Sequence, residues 1–198
     1  MITISKHIHG AGQKAILFMG QVIFLGGQDK YYLLYILFMG QVKTPAVAKL
    51  WDAKDGSDKG SLQGHTATVS AIAVMPEQGG DFVTASWDKS IKLWDRSSLK
   101  MKKELKGHSQ AVWALLPLHG QKLLSGSGDR SIKLWDTHDG KCLGTLNGHG
   151  DCVRALALLP DGNFVSAGND CMVKIWSLDL SGNSLDTSCG FCLGTLAG

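Results

Sequence analysis

Histidine and aspartate recur together along this 198-residue sequence, with serine or threonine between them. Histidine can act as a general base, aspartate can orient it, and a hydroxyl can attack a substrate, so each group resembles a hydrolytic triad. The groups contain His65 and Asp88, His108 and Asp129, and His149 and Asp170. A hydrolase, however, needs a single site with an oxyanion hole and a substrate cleft. Because the groups recur in register beside a tryptophan, a hydrolase is kept only as a remote alternative.

A repeated string fixes the spacing of these groups. Ser90–Asp95 has the sequence SIKLWD, and the same six letters return at Ser131–Asp136. Weaker copies are AKLWD at 48–52 and MVKIWS at 172–177. The tryptophans therefore recur with a period of roughly 40 residues, which indicates a repeat architecture. The pairs Gly64-His65, Gly107-His108 and Gly148-His149 precede the last three tryptophans.

Gly-His early and Trp-Asp late in such a period resemble the WD40 repeat of β-propellers. The resemblance covers residues 48–198 and implies an all-β fold with three clear four-stranded blades and a degenerate or incomplete fourth. Outer strands and blades are expected at about 60–95, 101–136, 141–177 and 191–198.

The same resemblance implies a buried hydrogen-bonded chain that runs from tryptophan through serine or threonine to histidine and aspartate. Such a chain satisfies an indole and an imidazole that would be costly to bury unpaired. The matching sets are Trp94, Thr84, His65 and Asp88; Trp135, Ser125, His108 and Asp129; and Trp176, Ser166, His149 and Asp170. The serines two residues later were rejected because Gly168 stands at that position in the third set.

Residue patterns predict the strands of each blade. Short runs of β-branched or apolar residues are separated by turn residues, which is typical of β-strands. In SIKLWD, Ile91 and Leu93 point to one face while Lys92 and Trp94 point to the other. A sheet that is apolar on both faces must be covered on both, as in a propeller. The lysines Lys92, Lys133 and Lys174 are expected to lay their stems along the blade while the ammonium reaches solvent. The predicted strands are 69–75, 81–86, 90–95, 101–105, 111–116, 122–127, 131–136, 141–146, 152–159, 163–167, 172–177 and 191–196, with a longer connection at 178–188.

The first 47 residues allow two interpretations. ILFMGQV occurs at Ile16–Val22 and again at Ile36–Val42, an exact duplication too short to be a blade. The segment is either a degenerate blade, with strands at 15–25, 31–42, 46–52 and near Ser61, or non-native sequence. Pro45 replaces the aspartate expected six residues before Trp51.

The number of blades leaves ring closure open. Propellers usually contain four to eight blades, and the sequence stops where the histidine of another repeat is expected. We therefore expect a fragment of a roughly seven-bladed ring, with a closed four-bladed ring as the alternative. An open arc would expose apolar blade faces and favour self-association.

Composition excludes several classes of protein. Twenty basic and 17 acidic residues give a net charge of +3, too weak a balance to predict nucleic-acid binding. No apolar run reaches the length of a membrane span, so no membrane partner is expected. Five cysteines in an uneven scatter do not form a disulfide framework, which favours a reducing compartment: the cytoplasm, with the nucleus second.

No cofactor or metal is predicted. Cys189 and Cys192 form a CxxC, but a zinc site would need a second pair of ligands. The string CLGTL follows at Cys192 and also occurs at Cys142, so Cys192 occupies an ordinary repeat position. His7 and His9 are interpreted as part of a solvated tail.

The WD40 resemblance places a protein-binding face at one loop end of the propeller. Trp87, Trp113 and Arg154 are its strongest candidates, because tryptophan and arginine are favoured binding anchors. Packing within their own blades is the structural alternative for the tryptophans. The positions are Thr68, Ser70, Trp87, Ala111, Trp113, Gly128, Cys152, Arg154 and Asn169.

Three strings resemble the propeller of the phospholipase A-2-activating protein family more closely. They are LQGHTA at 62–67, PEQG at 76–79 and GHGDCVR at 148–154. In that family the propeller binds ubiquitin, which implies a non-enzymatic scaffold that binds ubiquitin or ubiquitylated proteins. The family's further C-terminal domains do not occur in this sequence. The alternative is a general adaptor of the G-protein β-subunit type that binds another protein or peptide.

Overall fold

The computed structural model describes residues 22–25, 32–36, 47–52, 55–77, 79–178 and 190–197. All regular elements in these ranges are β-strands, which confirms the all-β prediction for the described part of the chain. None of the described residues forms a helix long and apolar enough to cross a membrane. The chain divides into two compact units, Met1–Val69 and Ser70–Gly198.

The first unit contains one four-stranded sheet, in which each strand pairs with the next in sequence. Its strands are β1 (Val22–Leu25), β2 (Tyr32–Ile36), β3 (Ala48–Asp52) and β4 (Asp58–Leu62). They fall inside or beside the strands predicted for a degenerate blade. His7, His9, Pro45 and most of both ILFMGQV copies lie outside the described residues. The origin of residues 1–47 therefore stays a prediction.

The second unit contains three four-stranded sheets with the same sequential strand order. The first holds β5 (Val69–Val74), which begins at the unit boundary, β6 (Phe82–Ser86), β7 (Ile91–Trp94) and β8 (Met101–Leu105). The second holds β9 (Val112–Leu118), β10 (Lys122–Ser127), β11 (Ser131–Asp136) and β12 (Lys141–Asn147). The third holds β13 (Val153–Leu158), β14 (Phe164–Gly168), β15 (Met172–Leu178) and β16 (Gly190–Ala197).

Equivalent strands carry equivalent irregularities. The pairing register shifts between Leu134 and Trp135 in β11, and at the corresponding step between Ile175 and Trp176 in β15. Such bulges increase the local twist of a strand pair. The predicted connection at 178–188 lies outside the described residues apart from Leu178.

Apolar side chains between consecutive sheets form the core of the second unit. One buried cluster joins Ile91 and Leu105 of one sheet to Trp135 of the next. The other joins Ile132 and Leu146 to Trp176. The sheets are thus apolar on both faces, as the alternation in SIKLWD predicts.

The expectation for Lys92 was wrong. Its side chain is only 6% exposed, and its Nζ lies 2.5 Å from Glu104 Oε1 on the neighbouring strand β8. A buried ammonium needs such an opposite charge. Lys133 and Lys174 donate to Thr145 and Thr195, at 2.8 and 2.9 Å. The stems lie along the sheet, but the head groups bond the outer strand.

Candidate functional site

The second unit contains two complete hydrogen-bonded chains of the predicted type. In the first, Trp135 Nε1 donates to Ser125 Oγ at 2.8 Å. His108 Nε2 lies 2.7 Å from the same oxygen, and His108 Nδ1 lies 2.8 Å from Asp129 Oδ2. We call each such set a tetrad. The side chains link strands β10 and β11 to the loop before β9.

The second tetrad has nearly the same geometry. Trp176 Nε1 donates to Ser166 Oγ at 2.7 Å, and His149 Nε2 lies 2.6 Å from that oxygen. His149 Nδ1 lies 2.8 Å from Asp170 Oδ2. The rings of Trp176 and Phe164 also stack, with centroids 6.2 Å apart.

The third predicted set is divided between the two units. Trp94 Nε1 donates to Thr84 Oγ1 at 2.8 Å in the second unit. Asp88 Oδ1 in the same unit accepts from the backbone N–H and the hydroxyl of Ser90. His65 belongs to the first unit and is 4% exposed.

The tetrad aspartates also hold a tight turn, a role that sequence analysis missed. Asp129 accepts from Ser109 N at 2.9 Å and from Ser131 Oγ at 2.6 Å. Arg130 in the turn has a φ of 71°, a strained conformation for a residue with a side chain. The serine that opens SIKLWD in both copies was the available clue.

Hydrogen bonds govern the ionisation of these carboxylates. Burial acts to raise the pKa of Asp129, but hydrogen bonds from His108 and Ser131 outweigh it and hold the pKa well below its usual range. Burial likewise opposes the shift at Asp170, where bonds from Gly150 and His149 lower the pKa. Both groups are therefore held as carboxylates that accept hydrogen bonds.

Two glycines fit against the tetrads. A Cβ at position 107 would lie 3.1 Å from Trp135 Cη2, and one at 148 would lie 3.1 Å from Trp176 Cη2. The glycine of each Gly-His pair thus gives room to the tryptophan edge. A Cβ at Gly168 would lie 2.6 Å from Asp170 Oδ1, so no side chain fits at the position of the rejected serine.

The tetrad hydroxyls are poorly placed for catalysis. Thr84, Ser125 and Ser166 are at most 1% exposed. Ser125 and Ser166 each accept a tryptophan N–H while bonded to a histidine. A buried oxygen engaged in this way is out of reach of a substrate. The arrangement ties strands together instead.

A second cluster of predicted residues lies on the surface. Trp87 is 47% exposed, and its ring centroid lies 5.2 Å from that of Trp113 at a tilt of 60°. Arg154 Cζ lies 3.8 Å from the centroid of the Trp113 ring, and Arg154 Nε donates to Asn169 Oδ1 at 3.0 Å. We call these four residues the Trp–Arg ladder. It crosses all three sheets of the second unit.

The other predicted face residues mainly make backbone contacts. Ser70 Oγ donates to Val112 O, and Gly128 N donates to Ala111 O at 2.8 Å. Cys152 Sγ lies 3.8 Å from Gly128 O. Thr68, in the first unit, is partly buried. These contacts support the loops that present the Trp–Arg ladder.

One group of potential metal ligands occurs among the described residues. Asp136, His138 and Asp139 place one ligand atom each within 4.8 Å of one another. Asp136 Oδ1 already accepts from the backbone N–H of His138 and Asp139, and Lys122 Nζ lies 2.6 Å from its Oδ2. These contacts explain the cluster as a turn with an ion pair.

The described cysteines are free thiols. Cys192 Sγ lies 3.3 Å from Gly194 O, and Cys142 Sγ lies 3.4 Å from Gly144 O. The two cysteines thus occupy equivalent positions on the outer strands β16 and β12. Cys189, the other member of the CxxC, lies outside the described residues.

Comparison with known proteins supports the repeat assignment. The sequence matches the family WD40, described as "WD domain, G-beta repeat", at residues 56–95, 99–136 and 140–177. The structure is similar to the crystal structure of the WD40 beta propeller domain of Doa1. The TM-score is 0.66 with 34% sequence identity, over 84% of this chain and 50% of that chain.

Curated relatives match over shorter regions. Small ribosomal subunit protein RACK1 of Dictyostelium discoideum is 36% identical over 80 residues, which is 37% of this chain and 22% of the relative. Nuclear distribution protein PAC1 of Komagataella phaffii is 28% identical over 112 residues, 55% of this chain and 22% of the relative. The chain spans less than a quarter of these relatives. Since the family matches cover more than half of the chain and the fold agrees, this protein belongs to the WD40-repeat family of β-propellers.

Proposed function

We propose that this WD40 scaffold binds ubiquitin or ubiquitylated proteins through the Trp–Arg ladder. A protein-interaction scaffold is the function that the WD40 family and fold support, and ubiquitin is the specific partner that we add. The observation that carries the proposal is the stack of Arg154 on Trp113 beside the half-exposed Trp87.

The chemistry of the ladder suits a protein surface. Tryptophan and arginine dominate the energetic centres of protein interfaces because they combine large apolar area with a polar group. Trp113 holds the guanidinium plane, and Asn169 accepts from its Nε. Arg154 is therefore partly ordered before a partner arrives, which lowers the entropy cost of binding. A partner with an apolar patch beside a hydrogen-bond acceptor would fit this surface.

The choice of ubiquitin depends on the strings at 62–67, 76–79 and 148–154, which resemble the phospholipase A-2-activating protein family. The string at 148–154 ends on Arg154, so one of the resembling segments contributes directly to the ladder. The alternative partner is another protein or peptide bound in the manner of a G-protein β-subunit adaptor. The cytoplasm, with the nucleus second, remains our proposed location.

Titration of isotope-labelled ubiquitin with the full chain tests the proposal. We expect shift changes confined to one surface of ubiquitin, and a loss of affinity of about tenfold or more for Trp113→Ala and Arg154→Ala. Lys141→Ala is the charge-matched control, because Lys141 lies on the outer strand β12 with only a 3.8 Å ion pair to Asp139. Absence of shift changes with the wild-type chain would exclude ubiquitin and leave the adaptor alternative.

A further inference from the structure

The two apolar cores between sheets of the second unit are built to one pattern. We call the face of a sheet that packs on the next sheet in sequence its trailing face, and the opposite face its leading face. In the first core, Ile91 and Leu105 on a trailing face meet Val112 and Trp135 on the next leading face. In the second core, Ile132 and Leu146 meet Val153 and Trp176.

Strand register identifies the matching residues in each sheet. On the three trailing faces, one residue of the second strand pairs with an aliphatic residue of the third, which pairs with a leucine of the fourth. The sets are Ala85, Ile91 and Leu105; Gly126, Ile132 and Leu146; and Ala167, Val173 and Leu196. The last set lies on the sheet formed by β13–β16.

Exposure separates the last trailing face from the other two. Ile91 and Ile132 are 0% and 1% exposed, whereas Val173 is 37% exposed. Leu105 and Leu146 are 1% and 4% exposed, whereas Leu196 is 60% exposed. Burying these side chains would be favourable at roughly 25 cal/mol per Å² of apolar surface. The last sheet therefore presents an interface surface that nothing covers among the described residues.

The covered faces show what such a surface accepts. A Cβ at Gly126 would lie 2.7 Å from Val153 Cγ1, so a valine of the following sheet fits tightly against the trailing face. The indole of Trp176 completes the same core. The complement to the last trailing face is therefore a leading face with a repeat tryptophan.

The chain carries a candidate for that complement on its first sheet. Trp51 on β3 occupies the same place in AKLWD as Trp94 and Trp135 in SIKLWD. It is partly exposed, whereas Trp94, Trp135 and Trp176 are each 1% exposed. Lys49 Nζ lies 5.4 Å from the centroid of its ring. One chain thus bears both an uncovered trailing face and a repeat tryptophan that is less covered than the others.

We infer that the trailing face of β13–β16 binds a second copy of this chain, head to tail, with Trp51 of that copy over Val173 and Leu196. The contact is heterologous, because two different surfaces meet. It uses none of the residues of the Trp–Arg ladder, so it is independent of the proposed function.

Sedimentation velocity of the full chain over a wide concentration range tests this inference. We expect a reversible dimer or larger species, with association weakened by about tenfold or more in Leu196→Glu and in Trp51→Ala. Leu143→Glu is the matched control, because Leu143 is also an exposed leucine on an outer strand, at 42%. Near-ultraviolet circular dichroism would verify that each variant is folded.

Three results would overturn the inference. A wild-type chain that stays monomeric would show that the face binds no second copy. Equal loss of association in Leu143→Glu would indicate unspecific hydrophobic contact. Loss in Leu196→Glu without any loss in Trp51→Ala would mean that two trailing faces pack together, contrary to the head-to-tail arrangement.

Discussion

The tetrads and the Trp–Arg ladder use similar side chains in opposite settings. In the tetrad of Trp135, the indole is 1% exposed and its N–H is held by Ser125. In the ladder, Trp87 is 47% exposed and touches another tryptophan, with Arg154 on the far side. The tetrad geometry occurs twice in full within the second unit, whereas the ladder is built once, from one side chain or two of each sheet.

This difference separates residues that build the repeat from residues that distinguish this protein. A group that recurs in register solves a problem that every blade has, namely burial of an indole and an imidazole. The ladder residues differ from blade to blade: Trp87, Gly128 and Asn169 occupy one repeat position. Recurrence therefore predicts an effect on stability, and uniqueness predicts an effect on binding.

Trp135→Ala should give the largest loss of stability. Removal of a fully buried aromatic side chain typically costs about 3 to 5 kcal/mol, and here it would also open the core shared with Ile91 and Leu105. Urea denaturation followed by circular dichroism measures the change. Trp87→Ala is the matched control, since an exposed indole should cost far less; equal losses would break the comparison.

Ser125→Ala should cost about 1 to 3 kcal/mol, because it leaves a buried indole N–H and an imidazole nitrogen unpaired. Ser109→Ala provides the control: this side chain is exposed and its recorded bond uses the backbone N–H. Unfolding curves of the two variants should differ clearly. A change at Ser125 as small as that at Ser109 would refute the structural role of the hydroxyl.

Asp129→Asn should cost about 1 to 2 kcal/mol at neutral pH, because bonds to a charged acceptor are strong. The pKa of Asp129 is lowered in the folded chain, so its carboxylate stabilises the fold above the unfolded value of about 4. That contribution is lost as the pH falls through the folded pKa. Denaturation at several pH values should show wild type and variant converging below about pH 4; a constant gap would contradict this.

Arg154→Ala should change stability least, within about 0.5 kcal/mol, because exposed side chains contribute little. It should nevertheless alter tryptophan fluorescence, since the guanidinium covers the Trp113 ring. Thermal unfolding and emission spectra measure the two effects. A large loss of stability would place Arg154 with the tetrads and sharpen doubt about its binding role.

Much of the repeat could be predicted from the sequence, because its strands combine local propensity with a fixed period. Eleven residues bound by SIKLWD-type strings and turns, such as Lys122–Ser127 and Ser131–Asp136 with their connection, matched predicted strands residue for residue. Other ends shifted by one or two residues: β9 extends to Leu118 rather than Leu116. Strand ends depend on pairing with neighbours, which local sequence does not encode.

Features that depend on three-dimensional contacts were not predictable. The burial of Lys92 depends on Glu104, which approaches only when β7 and β8 pair. Gly168 was noted for its missing hydroxyl, yet its role is the close approach of Asp170 and His149. The named ladder residues were foreseen individually, but the stacking of Arg154 on Trp113 emerged only from the fold.

Hydrogen exchange of the indole N–H groups, followed by NMR, tests the central claim most directly. The structure predicts slow exchange for Trp135 and Trp176, whose N–H groups donate to buried serines, and fast exchange for the exposed Trp87. Ser125→Ala should accelerate exchange at Trp135 and leave Trp176 protected. If Trp135 and Trp176 exchanged as fast as Trp87 in the wild-type chain, the tetrads would not be the buried ties described above.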